Sequence, residues 1–379
     1  MAIDNKDKKI LNVPHLRFPE FSGEWEMVSL QDIATINPKS DPLQNTFIYI
    51  DLEAVEKGEL RKIQEIMREE APSRAQRVID NNDILFQCVR PYQKNNYIHR
   101  ILNTSNQQWV ASTGYAQIRT TELPNYIYHL LNTDEFNRKV MVRCTGSSYP
   151  AINSEDLATI HLYYTPDKKE QLKISRLLDL LDKRIATQNK IIEKLQSLIK
   201  GLRVCCMQRV YGNNVYLSEI AQIYQPQTIS STELTEDGFL VYGANGIIGK
   251  YKDYNHETEQ ICITCRGNTC GMVNYTKPMS WITGNAMVIN TDKYQDKVCK
   301  RYLYHYLSAY NFNSIISGSG QPQIVRTPLE KLKITLPTIS EQKQKAMILD
   351  KIQDKIDINH KVLNLYIRQK HYLLRQMFI

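Results

Sequence analysis

The feature that most constrains the fold is a long run of helix-forming residues at positions 167–209. Residues 168–200 contain neither Gly nor Pro, and Leu and Ile recur at heptad spacing in three columns. Two such columns form the seam of a two-stranded coiled coil, whereas three form the broader stripe of a bundle with more helices. The columns are Ile174, Leu181, Leu195 and Leu202 with Gln188 as a polar exception; Leu177, Ile191 and Leu198 with Arg184 as the exception; and Leu178, Ile185, Ile192 and Ile199.

A second long helix is predicted at residues 341–377, which also lack Gly and Pro and carry apolar residues at three- and four-residue spacing. Both helices begin with a Glu-Gln pair, Glu170-Gln171 in the first and Glu341-Gln342 in the second. Each follows a strand-like run that ends near a Pro. Either helix alone is also typical of a coiled-coil dimerisation arm, so the rest of the chain must decide between the two interpretations.

The rest of the chain is an internal duplication. Residues 28–36 recur at 215–223 with five of nine positions identical. Further matches follow in the same order in both halves, which indicates a repeat rather than chance similarity. They pair 113–116 with 283–286, 126–131 with 302–307, and 146–152 with 318–324.

The repeat predicts an α+β fold: two tandem domains of mixed helices and strands with two long antiparallel helices, a coiled-coil spacer, and pseudo-two-fold symmetry. Residues 37–110 share little with residues 224–282, which is typical of a duplicated scaffold that recognises two different targets. The expected segments are a disordered lead (1–12), a first domain (13–166), a long helix (167–212), a second domain (213–338) and a second long helix (339–379).

Composition narrows the function classes. No apolar run approaches the ~20 residues of a membrane span, and residues 1–9 are charged without an apolar segment behind them, so we expect no membrane partner and no signal peptide. Eight cysteines without regular spacing indicate reduced thiols and a cytoplasmic location. A net charge of +8 permits nucleic acid binding.

Loops rich in Arg, amide and Tyr side chains are candidates for nucleic acid contact in the first half. Arg pairs bidentately with guanine and Gln or Asn with adenine, although such loops are also typical of an ordinary solvated surface. The candidates are Arg74, Arg77, Gln87, Arg90, Tyr92, Gln93, Lys94 and Asn95.

Two repeated Gly-Ser loops, 146–150 and 318–322, expose backbone N–H groups that suit phosphate, or serve simply as turns. In the second half, the Gly-rich segment 242–251 lacks the spacing of a phosphate-binding Walker A loop. Its polar residues and those of segment 264–269 are further candidates. The set is Ser147, Tyr149, Asn245, Lys250, Tyr251, Arg266, Asn268, Thr269, Ser319 and Gln321.

The sequence contains no pattern that predicts a catalytic site or a metal site. Cys262 and Cys265 form a C-x-x-C without a second pair, so buried thiols are expected rather than a metal site. His129 and His305 occupy matching positions, and we expect both to pack structurally because no repeated carboxylate or nucleophile accompanies them. No methyltransferase, hydrolase or nuclease motif is present, which argues against a fused methyltransferase-nuclease, and no catalytic residue is assigned.

Taken together, the chain resembles the specificity (S) subunit of type I restriction–modification systems over nearly its whole length. The resemblance rests on the opening segment 16–25, the paired Leu-x-x-Ile-Ala starts at Leu30 and Leu217, the Gly-Ser-x-x-Pro-x-Ile loops and the two long helices. The segment 242–288, with Asn-Gly-Ile-Ile-Gly and Arg-Gly-Asn, is similar to a second target recognition domain.

The resemblance implies a non-catalytic subunit whose two target recognition domains each recognise half of a bipartite site in double-stranded DNA. The helices set the gap and dock two modification (methyltransferase) subunits, which bind S-adenosylmethionine and methylate adenine; restriction subunits add ATP-driven translocation and cleavage. The chain itself needs no cofactor. The docking residues expected on the helices are Leu178, Ile185, Ile192, Ile199, Ile352 and Ile356. The alternative is a coiled-coil scaffold that binds protein only, without affinity for DNA.

Overall fold

The computed structural model describes residues 12–100, 107–208, 210–244, 246–318 and 320–379. The predicted disordered lead, 1–12, lies outside the described residues except for its last position. The chain divides into two compact units. Unit 1 comprises Met1–Thr187 with Leu363–Ile379, and unit 2 comprises Gln188–Val362.

Unit 1 is built on short strands from runs rich in β-branched and aromatic residues. They are β1 (Glu26–Ser29), β2 (Ala34–Ile36), β3 (Thr46–Ile50), β4 (Val55–Glu56), β5 (Glu59–Leu60), β6 (Gln64–Met67), β7 (Ala75–Ile79), β8 (Ile84–Gln87), β9 (Tyr97–Ile98), β10 (Gln108–Ser112), β11 (Tyr115–Thr120) and β12 (His161–Tyr164). Two four-stranded sheets have the orders β6-β3-β10-β7 and β2-β11-β8-β9. Strand β10 pairs parallel with β3 and antiparallel with β7, while β1 pairs antiparallel with β12.

Helices cover the second of these sheets with a continuous apolar core. They are α1 (Leu30–Ile33), α2 (Pro124–Leu131), α3 (Asp134–Arg143), α4 (Ser154–Ala158) and the first part of α5 (Lys168–Gln208). Pro124 opens α2 at a position where no backbone N–H is needed, and the Thr133 side chain caps α3 by accepting from Phe136 N. Phe86 of β8 and Tyr126 of α2 are buried in this core.

Unit 2 repeats the plan with different sheets. Its elements are β13 (Asn213–Tyr216), β14 (Gln222–Tyr224), β15 (Phe239–Gly243), β16 (Gly246–Tyr251), β17 (Ile261–Thr264), β18 (Val273–Tyr275), β19 (Trp281–Ile282), β20 (Ala286–Asn290), α6 (Lys300–Ala309), α7 (Arg326–Glu330), β21 (Lys333–Leu336) and α8 (Ile339–Met377). The sheet orders are β14-β20-β17-β18 and β16-β15-β19. Strand β13 pairs antiparallel with β21, as β1 does with β12.

The start of each long helix is fixed by equivalent hydrogen bonds. Gln171 Nε2 donates to Thr165 O at 2.8 Å, and Gln342 Nε2 donates to Pro337 O at 2.9 Å. In each Glu-Gln pair, the Gln therefore stabilises the start of the helix by binding the segment that precedes it. The predicted α+β fold with an internal repeat is confirmed.

The two long helices pack against each other within each unit. In unit 2, Gln188 of α5 bonds Asn359 of α8, while Lys345 Nζ of α8 donates to Cys206 O of α5 at 3.2 Å. Numbering rises along α5 as it falls along α8, so the pairing is antiparallel, as predicted. In unit 1, Asp182 of α5 forms an ion pair with Lys370 of α8.

The apolar columns of α5 divide between core and surface, which corrects the predicted docking residues. Leu178, Ile192, Ile199 and Ile356 are buried in the chain's own core, and Ile185 and Ile352 are half-buried. The prediction that these residues dock another subunit is wrong for the four buried ones, because they close the contacts between helices and domains. The exposed column is another one, with Ile191 at 40% and Leu198 at 49% exposure.

Within the described residues, no helix combines the length and apolar character that a membrane span requires.

Candidate nucleic-acid interface

Two loops meet where strand β8 ends in unit 1. Ile152 N donates to Cys88 O at 3.1 Å, and Arg90 N donates to Pro150 O at 2.7 Å. These bonds join segments about sixty residues apart into one surface. We name them the strand-end loop, residues 88–96, and the Gly-Ser loop, residues 145–151.

Unit 2 has the same junction at the end of β17. Ile324 N donates to Cys265 O at 3.0 Å, and Gly267 N donates to Pro322 O, also at 3.0 Å. Gly267 therefore stands where unit 1 has Arg90. The strand-end loop of unit 2 is residues 265–272 and its Gly-Ser loop is residues 317–323.

Glycine is required where each Gly-Ser loop turns. Gly146 has a φ of +86° and Gly318 a φ of +90°, in the left-handed region that favours glycine. A Cβ on Gly318 would lie 2.6 Å from Gln321 O. The turns thus fix the position of the side chains that follow, Tyr149 in unit 1 and Gln321 in unit 2.

A third segment lies beside these two loops in unit 1, and we call the surface that the three segments form the edge of unit 1. Thr113 N donates to Arg74 O at 2.9 Å, and Cys88 N donates to Gly114 O at 3.0 Å. The start of β7, the turn between β10 and β11, and the strand-end loop therefore lie side by side. The sequence marks Thr113-Gly114 only as a landmark of the repeat, and its role in building this edge was missed.

Arg77 lies beneath this edge beside the Cys88 thiol. Burial lowers the pKa of the Arg77 guanidinium and raises the pKa of Cys88 to about 12. Among the described residues, the buried Nε of Arg77 has no hydrogen-bond partner. A buried cationic donor without an acceptor carries an uncompensated desolvation cost, which an anion close to the same guanidinium would reduce.

The arginines of this edge also lack ion pairs. In the described part of the chain, Arg74, Arg77, Arg90 and Arg266 have no carboxylate within ion-pair distance, whereas Arg119 binds Asp80 and Asp83. Their charges are therefore not neutralised by neighbouring Asp or Glu side chains.

Three predicted contact residues instead build the strand-end loop. Gln87 is only 3% exposed; its Nε2 donates to Gln93 Oε1 at 2.9 Å and its Oε1 accepts from Asn95 N at 3.2 Å. Lys94 Nζ donates to Asp134 Oδ1 at 2.7 Å, and Asn95 Oδ1 accepts from the amide of Lys57. The prediction of DNA contact is wrong for the buried Gln87. Lys94 pairs with Asp134 and the Asn95 carbonyl accepts from Lys57, and DNA contact by these two residues stays a prediction.

The remaining predicted residues of unit 1 face solvent on these loops. Tyr92, Gln93, Ser147 and Tyr149 are exposed, and Arg74 is exposed beside them. The Arg90 guanidinium lies over the Tyr149 ring, 4.2 Å from its centroid. The strand-end loop and the Gly-Ser loop thus contact each other through side chains as well as backbone.

In unit 2, a Gly-rich hairpin turn joins the edge. Ala244 O accepts from Thr264 Oγ1 at 2.6 Å and from Thr269 Oγ1 at 3.0 Å, so the Thr269 hydroxyl holds the loop rather than facing a ligand. Arg266, Asn268 and Gln321 are exposed there.

Lys250 and Tyr251 lie apart from this edge, and their predicted contact with DNA stays a prediction. They end the strand that starts at Gly246, so they lie about 13–17 Å along it from the turn. Lys250 Nζ is 3.4 Å from Asp237 Oδ1, and the Tyr251 ring packs edge-on against Trp281. Asn245 and Ser319, also predicted, lie outside the described residues.

The matched histidines are buried in packing positions, as expected, but the expectation that no repeated carboxylate accompanies them is wrong. His129 Nε2 is 2.8 Å from Asp179 Oδ1 on α5, and His305 Nε2 is 2.8 Å from Asp350 Oδ1 on α8. Both rings are fully buried. Each unit therefore holds its own stretch of long helix through a His-Asp contact.

The C-x-x-C cysteines are buried thiols. Cys262 and Cys265 have no exposed surface, and burial raises the pKa of Cys262 to about 12. Within the described ranges, no three His, Cys, Asp or Glu side chains are grouped so as to hold a metal ion.

A family profile described as the type I restriction modification DNA specificity domain matches residues 22–197 and 213–365. The chain is 32% identical over 147 residues to the type I restriction enzyme EcoprrI specificity subunit of Escherichia coli, an alignment that covers 38% of this chain. It spans 36% of the length of that relative. It is also 24% identical to the MjaVIII specificity subunit of Methanocaldococcus jannaschii, covering 94% of this chain and 92% of that protein.

Among solved structures, the fold is similar to a type I restriction–modification S subunit from M. genitalium. The TM-score is 0.67 at 15% identity, covering 97% of this chain and 99% of the other. At this identity the similarity concerns the fold alone.

Proposed function

Because this chain belongs to the type I restriction modification DNA specificity family, we propose that it is the DNA-recognition subunit of a type I restriction–modification complex. Each unit recognises one half of a bipartite site through its strand-end loop and Gly-Ser loop. The chain contributes no catalytic group of its own.

One observation carries this proposal: the same backbone junction recurs in both units but presents different side chains. Unit 1 offers Arg90 and Tyr149 where unit 2 offers Gly267 and Gln321. A backbone frame repeated in both units would fix the position on DNA, while side chains that differ between the units would reach base edges and determine the sequence. The alternative function, a scaffold protein that binds no DNA, does not account for two such surfaces with different side chains.

Electrostatics favour the same assignment. Arg74 and Arg77 border the edge of unit 1 without carboxylate partners among the described residues, and Arg77 Nε is an unsatisfied donor. DNA phosphates near the two guanidinium groups supply the missing negative charge. We assign phosphate contact to these two residues and base contact to the side chains on the loops.

The long helices provide the surface for partner subunits. Ile191 and Leu198 of α5, with Met347 and Ile348 of α8, are exposed apolar residues in place of the buried ones first predicted. We propose that two modification subunits dock there and that restriction subunits join the complex. S-adenosylmethionine and ATP are then bound by those partners, and the complex acts in the cytoplasm.

The direct test is selection of bound duplexes from a random-sequence DNA library by the chain co-expressed with the methyltransferase subunit of its own system. We expect two short motifs at a constant separation. An unchanged library, or one continuous motif, contradicts the proposal.

A further inference from the structure

The edge of unit 1 carries a pair of side chains, Arg90 over the ring of Tyr149, that unit 2 lacks. Resting on the proposed function, we propose that Arg90 contacts a guanine in the half-site bound by unit 1, and that Tyr149 is the positioning residue that holds it. The half-site bound by unit 2 is recognised without this pair.

The backbone at Arg90 is the first argument. Arg90 has a φ of +53°, in the left-handed region that disfavours side chains with a Cβ. The equivalent residue of unit 2 is Gly267, with a φ of +85°. Both units therefore need this backbone conformation, and glycine satisfies it without strain. Unit 1 thus keeps an arginine where glycine would be unstrained, and the contacts of its side chain decide what the arginine does.

The side chain is the second argument. The Arg90 guanidinium lies 4.2 Å from the centroid of the Tyr149 ring. A guanidinium over an aromatic ring is held there by cation–π attraction, and no carboxylate of the described residues forms an ion pair with this one. Two coplanar N–H donors match the O6 and N7 acceptors of guanine in the major groove.

Tyr149 is the third argument. Its ring is 64% exposed, so it adds little to the core. The residue that follows it, Pro150, accepts the hydrogen bond from Arg90 N at 2.7 Å. Backbone and ring therefore hold Arg90 together, which reduces the conformational freedom lost when the arginine binds a base.

Unit 2 lacks both side chains of this pair. Gln321 stands in the place of Tyr149, and the arginine of its strand-end loop, Arg266, comes one residue earlier and is exposed. No aromatic ring among the described residues lies under the Arg266 guanidinium. Base recognition in the two half-sites is therefore expected to differ in chemistry, not only in sequence.

The test repeats the duplex selection with complexes of the wild-type chain and four variants. Arg90→Gly installs the residue of unit 2, and Arg90→Lys keeps the charge without the planar donor pair. Both should lower the preference for one G·C pair about tenfold, in one half-site only. Tyr149→Ala should weaken preference at that same pair, and Tyr149→Phe should restore it because the ring face is kept.

Thermal unfolding distinguishes a loss of base recognition from a loss of protein stability. We expect the melting temperature of Arg90→Gly to equal or exceed that of the wild type, because the left-handed strain is removed. Arg266→Ala is the matched control in unit 2, and its effect should fall in the other half-site.

The outcomes distinguish two failures. A wild-type complex that selects no bipartite motif overturns the proposed function and this inference with it. A bipartite wild-type motif that persists unchanged in Arg90→Gly and Arg90→Lys overturns this inference alone. An Arg90 effect without any Tyr149→Ala effect at the same base pair refutes the positioning role of Tyr149.

Discussion

Replacing Arg74 and Arg77 together with Ala should flatten the salt dependence of DNA binding. Arg74 is exposed at the edge of unit 1 and Arg77 is half-buried beneath it, and neither has a carboxylate partner in the described part of the chain. Each phosphate contact contributes about 0.9 to the slope of log affinity against log salt. Losing two contacts therefore lowers the slope by about 1.8.

That slope change has a measurable size. Between roughly 50 and 200 mM salt, the wild-type complex should lose about tenfold more affinity than the double variant. Fluorescence anisotropy with a labelled duplex that carries the selected site measures this over a salt series. The sequence preference should remain unchanged, because phosphate contacts carry no sequence information.

Arg138→Ala is the matched control. Its guanidinium is exposed on α3 and, unlike Arg74 and Arg77, is already paired with a carboxylate, Glu135, at 2.8 Å. It should leave the slope as it is. An unchanged slope in the Arg74 and Arg77 double variant, or an equal change in Arg138→Ala, would refute the assignment of phosphate contact.

Three further predictions concern stability and spacing. Burial lowers the pKa of His99 to about 4. Below about pH 6.5, His99 is therefore protonated in the unfolded chain while it is still neutral in the folded chain. Stability should fall by about 1 kcal/mol between about pH 7 and pH 5.5, and His99→Phe should remove this loss in urea unfolding; an equal loss in the variant contradicts it. Leu349 is fully buried in the contact between α5 and α8, so Leu349→Ala should lower the free energy of unfolding by about 2–5 kcal/mol. Met347 is exposed nearby, and Met347→Ala should lower it by less than about 1 kcal/mol in the same assay. Equal losses would show that the contact between α5 and α8 does not stabilise unit 2. Removing seven residues from each long helix together should shorten the gap in the selected motif by about three base pairs and leave both half-sequences unchanged; an altered half-sequence contradicts the spacer role.

The long helices and the repeat were predictable because their signals are periodic. Heptad columns without Gly or Pro admit few folds, and landmarks that recur in order require a duplicated scaffold. The choice of docking column was not predictable. Leu178 and Leu198 are equally apolar in sequence, and only packing shows that the first is buried and the second exposed.

The loop residues show a similar limit. Gln87 and Arg90 are three positions apart in one polar segment, yet Gln87 closes the loop while Arg90 lies on its surface. The difference arises because every residue of β8 is buried, including Gln87, whereas the chain turns left-handed at Arg90. Tertiary contacts therefore decide these roles.

The positions of Lys250 and Tyr251 apart from the loops have a related reason. They are close in sequence to the Gly-rich turn at Gly246, but an extended strand separates them from it by about 3.3 Å per residue. Conversely, Arg90 and Tyr149 are distant in sequence and adjacent in the fold, so no local pattern identifies them as a pair.

The most direct test of DNA recognition is a map of methylated adenines in DNA from cells that express this chain with its methyltransferase subunit. We predict a single bipartite motif that disappears when this chain is deleted. A motif that persists without the chain, or no motif from a complex shown to be assembled, would contradict the assignment.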